Sequence, residues 1–195
     1  MRAKWAVPDM SSGMAHPWHD LPNNPDTAAE SLNVVIEIPM GSMVKYELDK
    51  VTGTLRVNRM LYSSVHYPAN YGFIPRTYAD DGDPLDVLVL GTEPVHPLSI
   101  LCARPIGVMR MEEDGLVDDK IIAVHLHDPA FAECRDVEQL PRHTSAQIQR
   151  FFEDYKILED KIVRVDHLGG AEDALEAVLH ALALYRTEEQ RLRGW

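Results

Sequence analysis

Val34-Val35-Ile36-Glu37-Ile38-Pro39 decides how this chain reads. β-Branched residues favour a pleated backbone, and the proline ends the run. Val44-Lys45-Tyr46-Glu47-Leu48 follows with alternating apolar and polar positions. Asp49-Lys50-Val51-Thr52-Gly53 then has the composition of a hairpin turn and leads into Thr54-Leu55-Arg56-Val57. Four further strands are predicted at 85–90, 100–105, 106–110 and 120–125. Short strands separated by turns predict an α+β, mainly β fold around a closed antiparallel barrel. The C-terminal part reads as flanking helices. Thr144 with Gln147 has the spacing of a capping box, and Ile148, Phe151, Phe152 and Tyr155 follow helical spacing. After Gly169-Gly170 a second helix is predicted to present Leu175, Val178, Leu179 and Leu182 on one face. Its polar end, 187–193, is expected to fray.

The chain has 195 residues, enough for a single domain with a sizeable core. Residues 1–30 hold turn-forming residues without periodicity and read as an N-terminal extension that wraps the surface, with Trp18 as its anchor. His16 and His19 read as isolated surface histidines. Residues 31–195 then form one domain. No apolar run approaches the length of a membrane span, and 1–8 lack the apolar core of a secretory signal. Two cysteines, Cys102 and Cys134, do not make a disulfide framework, so the cytoplasm is the expected compartment. The formal net charge of −12 argues against nucleic-acid and anionic-membrane surfaces. It leaves room for a small anionic partner, because bound metals and a few basic residues can invert the sign locally.

The chemistry concentrates in Asp81-Gly82-Asp83-Pro84-Leu85-Asp86. Crowded carboxylates repel one another, and hard, oxygen-seeking cations such as Mg²⁺ relieve that repulsion. Gly82 permits a tight bend, and Pro84 keeps Asp83 out of a helix. The acids therefore sit where a turn enters a strand. A solvated acidic turn is the plain alternative. A calcium-binding helix–loop–helix is excluded by spacing: with Gly82 at the sixth loop position, the first would be Thr77 and the twelfth Leu88.

Other segments add to this inventory. Lys45 and Glu47 share a sheet face, as a surface pair or as part of a polar cavity. Arg59 follows the next strand. Tyr67 and Tyr71 lie in a stretch of rigid turn residues, as core aromatics or as phenols facing an anion. Glu112-Glu113-Asp114-Gly115 and Asp118-Asp119-Lys120 form a second acidic patch, read as a loop between strands. Tyr155-Lys156 closes the first helix, where a lysine also suits the helix dipole. Many acids, several fixed cations and several phenols suit metal-assisted phosphoryl transfer to water.

These residues resemble the soluble family I inorganic pyrophosphatases over roughly 33–158. The Asp81–Asp86 motif is similar to the family signature. Val35-Ile36-Glu37-Ile38-Pro39, Lys45-Tyr46-Glu47, Tyr67-Pro68-Ala69-Asn70-Tyr71-Gly72 and Phe151-Phe152-Glu153-Asp154-Tyr155-Lys156 match in the same order. His16-Pro17-Trp18-His19-Asp20 and Leu61-Tyr62-Ser63-Ser64 resemble the plant-type branch. The resemblance implies a five-stranded barrel of the oligonucleotide-binding shape. It also implies hydrolysis of inorganic pyrophosphate to two phosphates with Mg²⁺, Mn²⁺ or Zn²⁺ being substitutes.

By matching positions, the resemblance implies that Asp81, Asp86 and Asp118 hold a first metal, with Asp86 bridging to a second. Asp118 and Glu113 would hold a metal that arrives with substrate, and Glu37 a further one through water. Asp83 would be the general base. Lys45, Arg59, Lys120, Tyr155 and Lys156 would grip the phosphates, and Glu47, Tyr67 and Tyr71 would complete the polar wall. Two departures stand out. The family has Asp where this chain has Glu113, a longer arm that should shift the metal it holds. Bacterial members are hexamers with histidines near the helix that here carries Arg150 and Asp154, which leaves a monomer or smaller homo-oligomer open.

Overall fold

The computed structural model describes residues 15–159 and 161–194. The first part of the expected extension, 1–14, including the stretch read as lacking a secretory core, lies outside the described residues. The elements run β1 Leu32–Ile38, β2 Val44–Leu48, β3 Leu55–Met60, β4 Asn70–Phe73, β5 Asp86–Leu90, β6 Ile100–Glu113, β7 Leu116–Val117, β8 Lys120–His125, α1 Arg142–Asp154, β9 Val163–Gly169 and α2 Ala171–Leu192.

β1, β4, β5, β8 and β6 hydrogen-bond in that order, and β6 pairs back with β1 to close a ring of five strands. The ring is not wholly antiparallel as expected: β5 and β8 run parallel. The other four neighbouring pairs are antiparallel, and a closed ring of five strands cannot alternate throughout. The two strands expected at 100–105 and 106–110 are one long strand. Its register shifts between Pro105 and Gly107, where the chain turns from β1 toward β9. A bulge of this kind bends a strand without ending it. β2 and β3 form the expected hairpin, but as a separate two-stranded sheet.

Alternate side chains of the ring serve two cores. Leu88 and Leu90 of β5 join Ile106, Ile122 and the α1 residues Ile148, Phe151 and Phe152. Val87 and Val89 join Val34, Ile36 and the α2 residues Ala174, Val178, Ala181 and Leu182. Strands buried on both faces account for the unbroken apolar text of β5 and β8. Each buried Val, Leu, Ile or Phe contributes about 1.5–3 kcal/mol of transfer free energy. β4 was expected to be turn and is fully buried strand. Gly72 is what allows it: a Cβ there would meet the Val35 carbonyl oxygen at 1.9 Å.

The helices also depart from expectation. α1 starts at Arg142 behind Pro141, and Thr144 lies inside its first turn. A capping box is instead formed by Asp136 and Gln139 around the short turn 137–139. α2 buries Val178 and Leu182, but Leu179 is exposed and Ala174, Ala181 and Tyr185 complete its inner face. Its end does not fray: Arg193 donates to Asp20 and Glu189, each at 2.9 Å.

Trp18 is buried, and its Nε1 donates to the Thr77 carbonyl at 2.8 Å. His19, expected at the surface, is buried as well. It stacks on Trp18 and shares a 2.7 Å hydrogen bond with the Tyr185 hydroxyl. Cys102 and Cys134 are free and half-buried. Among the described residues no helix is long and apolar enough to cross a membrane.

Candidate active site

β5 and β8 place the central charges. Asp86 opens β5, and Lys120 opens β8 beside it. Lys120 is almost fully buried, and its Nζ reaches Asp86 Oδ2 at 2.5 Å and also Asp118. Burial alone would lower this ammonium, but Asp86 and Asp118 hold its pKa above the ordinary lysine value. Tyr71, from β4, donates its hydroxyl to the same Asp86 oxygen at 2.5 Å. Burial raises Asp118, Lys120 opposes the rise, and the charge of Asp86 adds to it.

The loop before β5 carries Asp81 and Asp83. Thr77 ties its base, accepting from Leu85 N at 2.8 Å, while Ala79 N donates to Asp83 O at 2.8 Å. Gly82 takes φ 88°, the left-handed bend that lets Asp83 N return to Asp81 Oδ1 at 3.0 Å.

Asp81, Asp83, Asp86, Asp118, Glu113, Lys120, Lys45, Tyr67, Tyr71, Tyr155 and Lys156 all line one cleft of about 280 Å³. Glu37 and Glu47 line an adjoining cleft of about 190 Å³, which shares Lys45, Tyr71, Asp83 and Asp86 with the first. Glu37 is buried, not on a solvated face; its Oε1 accepts from Leu48 N at 2.6 Å. Burial, then the charge of Asp86, pushes its carboxyl up to about 8. Lys45 and Glu47 share a face as expected and pair at 2.8 Å. Burial pushes Glu47 up, but Lys45 and Asn58 hold it below the usual carboxylate range. Arg59 lines neither cleft. Its Nε pairs with Glu159 at 2.9 Å, and its Nη2 is buried without a hydrogen-bond partner among the described residues.

The far wall is built from β6, the end of α1 and the segment after it. The loop expected between strands is a hairpin: Asp114 and Gly115 both take positive φ, 51° and 84°, between β6 and β7. A two-residue Asp-Gly turn has this geometry. Glu113 accepts from Lys156, from the Tyr155 hydroxyl at 3.2 Å and from Lys161 at 2.9 Å. Burial would raise its carboxyl, yet Lys156 and Lys161 hold it at about 2. Burial lowers Lys156 despite Glu113. Burial also pushes the phenols of Tyr67, Tyr71 and Tyr155 above their ordinary value, so they stay neutral donors.

Two cleft residues were missed from sequence. Lys161 stands on Glu113, and Lys50 pairs with Asp83. Lys50 lies in a segment read only as a turn, and no spacing rule points to either.

The donors suit a hard cation. They are carboxylate oxygens, and burial first, with the neighbouring charge of Asp86 adding to it, raises Asp118 and Glu37. Among the described residues no three such side chains are already gathered as a metal requires. Lysine ammoniums pair with Asp86, Asp118 and Glu113.

The inorganic pyrophosphatase family pattern matches residues 34–186. That span covers all fourteen site candidates named from sequence. The chain belongs to the soluble family I inorganic pyrophosphatases, and so to the hydrolases. It is 56% identical over 172 residues to soluble inorganic pyrophosphatase 2 of Chlamydomonas reinhardtii, covering 88% of this chain and 89% of that one. It is 55% identical over 171 residues to the soluble inorganic pyrophosphatase of Oryza sativa, covering 88% and 79%. The crystal structure of the Thermus thermophilus inorganic pyrophosphatase superposes with a TM-score of 0.84 at 39% identity, over 88% of this chain and 99% of the other. That similarity supports the mainly β fold with two helices in this family member.

Proposed function

We propose that this chain hydrolyses inorganic pyrophosphate to two orthophosphates with Mg²⁺, using Asp83 as general base. The observation that carries the reading is the meeting of Asp81, Asp83, Asp86 and Asp118 with Lys45, Lys120, Tyr155 and Lys156 on one small polar cleft. Pyrophosphate is compact and highly charged, and charged and hydrogen-bonding side chains outnumber the apolar Leu116, Val117 and Phe152 in this lining.

Asp81, Asp86 and Asp118 are the residues to hold Mg²⁺, joined by Glu113 and Glu37; Mn²⁺ or Zn²⁺ would be substitutes. A bound divalent cation supplies charge neutralisation and a more acidic water. Asp83 accepts the proton from the attacking water. Lys45, Lys120 and Lys156 bind phosphate oxygens and draw charge from the leaving phosphate. Arg59 lines neither cleft, so its part in gripping phosphate requires its guanidinium to leave Glu159. Tyr67, Tyr71 and Tyr155 donate as neutral phenols, and Glu47 holds Lys45 in place. In this reading the five-strand ring is an OB-like closed barrel, residues 31–195 are one domain, and residues 1–30 are its extension. A cytoplasmic location accords with the free thiols. A homo-oligomer belongs to the same reading, with exposed Ile157, Leu158 and Ile162 as apolar surface for it.

The test is phosphate release from pyrophosphate with Mg²⁺, beside an EDTA-treated control. Fast release that EDTA abolishes is expected. Absence of release from folded protein across a range of metals would overturn the reading.

A further inference from the structure

The hairpin β2–β3 carries Lys45 and Glu47 to the cleft, yet it stands outside the ring as its own two-stranded sheet. Such a hairpin is marginal by itself and needs support. At its turn, that support is the segment His16–Asp20. His16 Nε2 lies 3.1 Å from the Lys50 carbonyl oxygen. Gly53 closes the same turn with φ 68°, and a Cβ there would meet Pro17 Cδ at 3.0 Å. The Lys50 ammonium lies 6.0 Å from the centre of the Trp18 ring and pairs with Asp83.

The segment is fixed on its other side. Trp18 Nε1 donates to Thr77 O at 2.8 Å, and Arg76 N donates to Trp18 O at 2.9 Å, both in the loop that leads to Asp81. The Tyr185 hydroxyl holds His19, and Arg193 holds Asp20. Five residues thus tie the hairpin turn, the acidic loop and the end of α2 to one another.

We propose that His16–Asp20 is a clasp that sets Lys50 against Asp83, making Lys50 a positioning residue for Asp83. The inference rests on the reading of Asp83 as the base. Lys50 and Asp83 are about half exposed, 46% and 52%. A solvated pair of this kind is weak when both partners are free to wander. Fixing the Lys50 backbone through His16 and holding its ammonium over the Trp18 ring lowers the entropic cost of ordering that pair. Asp83 is then held in one orientation, and orientation is what a general base requires.

The test uses the full chain with Mg²⁺ and pyrophosphate, reading kcat, KM and the unfolding midpoint. Lys50→Met keeps the stem, removes the charge and lies at an exposed turn, so it leaves the fold intact. It is expected to lower kcat about threefold to tenfold with KM within about twofold. Lys50→Arg is expected to recover most of the loss. His16→Ala is expected to lower kcat in the wild-type background and to do nothing further beside Lys50→Met. Wild-type kcat in Lys50→Met would overturn the inference. So would a Lys50→Arg no faster than Lys50→Met, or a His16→Ala effect equal in both backgrounds. Asp83→Asn in the same assay separates the two levels. Wild-type turnover there breaks the reading of Asp83. Lost turnover there, beside full activity of Lys50→Met, breaks the clasp alone.

Discussion

The ring half of the cleft and the hairpin half hold their charges in opposite ways. On the ring, the Lys120 side chain is 3% exposed and is locked by Asp86 and Asp118, with Tyr71 on Asp86. On the hairpin, the Lys50 side chain is 46% exposed, and its neighbours Val51 and Val57 are open to solvent. A buried ion must be met by protein groups because water is absent, so the ring half is over-determined and rigid. The hairpin charges keep much of their hydration and depend on backbone supports instead. One site therefore joins a fixed electrostatic floor to a more adjustable rim, and Asp83 lies on the rim side.

The largest expected effect tests whether the chemistry belongs to that rim. Asp83→Asn keeps shape and removes the proposed proton acceptor, so turnover near neutral pH should fall about 10²- to 10⁴-fold. The unfolding midpoint should stay close to wild type, because Asp83 is half exposed and its backbone carries the loop contacts. Undiminished turnover would move the base into the ring half. Next comes Lys120→Met, which fills the space of Lys120 but strands Asp86 and Asp118. Urea unfolding should show a loss of about 3–5 kcal/mol, the usual result of breaking a buried pair from one side. A loss below about 1 kcal/mol would mean that the floor is as well hydrated as the rim.

Glu113→Asp sharpens the comparison at the third wall, where the longer arm reaches Lys156, Lys161 and the Tyr155 hydroxyl together. The shorter aspartate cannot keep all three contacts, so its carboxylate becomes freer for a cation. The Mg²⁺ concentration for half-maximal activity should fall, by about threefold or more. An unchanged titration would make Glu113 a lysine anchor and no ligand.

The two halves were also unequally legible in the sequence. The acids of 81–86 stood out because Gly82 and Pro84 constrain the backbone locally, and 44–48 alternates within a few residues. β8 was found with its bounds because it is an apolar run entered by Lys120. β4 was missed because its strand state is imposed from outside: Gly72 sits against the Val35 backbone, a contact no local pattern encodes. β9 was missed because Val163–Gly169 carries Arg164, Asp166 and His167 and gains its order from the edge of β6. The Asp114-Gly115 turn did have a local signal, an Asp-Gly pair, which its acidic neighbours masked. Thr144 had the spacing of a cap, but Pro141 starts the helix earlier with its preset φ. Lys50 and Lys161 could not be found from spacing, since each meets its partner only through the fold. For the same reason His19 looked like a surface residue until Trp18 and Tyr185 enclosed it.

The smallest expected effect is the most direct measure of the contrast. Lys45 and Glu47 pair at 2.8 Å on the hairpin, with side chains 22% and 44% exposed. A double-mutant cycle of Lys45→Met and Glu47→Gln, read by urea unfolding, should give a coupling of less than about 1 kcal/mol. That coupling should shrink further as salt is raised, because ions reach a solvated pair and screen it. The Lys120 loss should hardly change with salt, because its partners close over it. If both respond alike, burial does not separate the halves, and the hairpin is as firmly set as the ring. If only the hairpin pair weakens, ionic strength acts on the rim alone, and turnover should follow the rim rather than global stability.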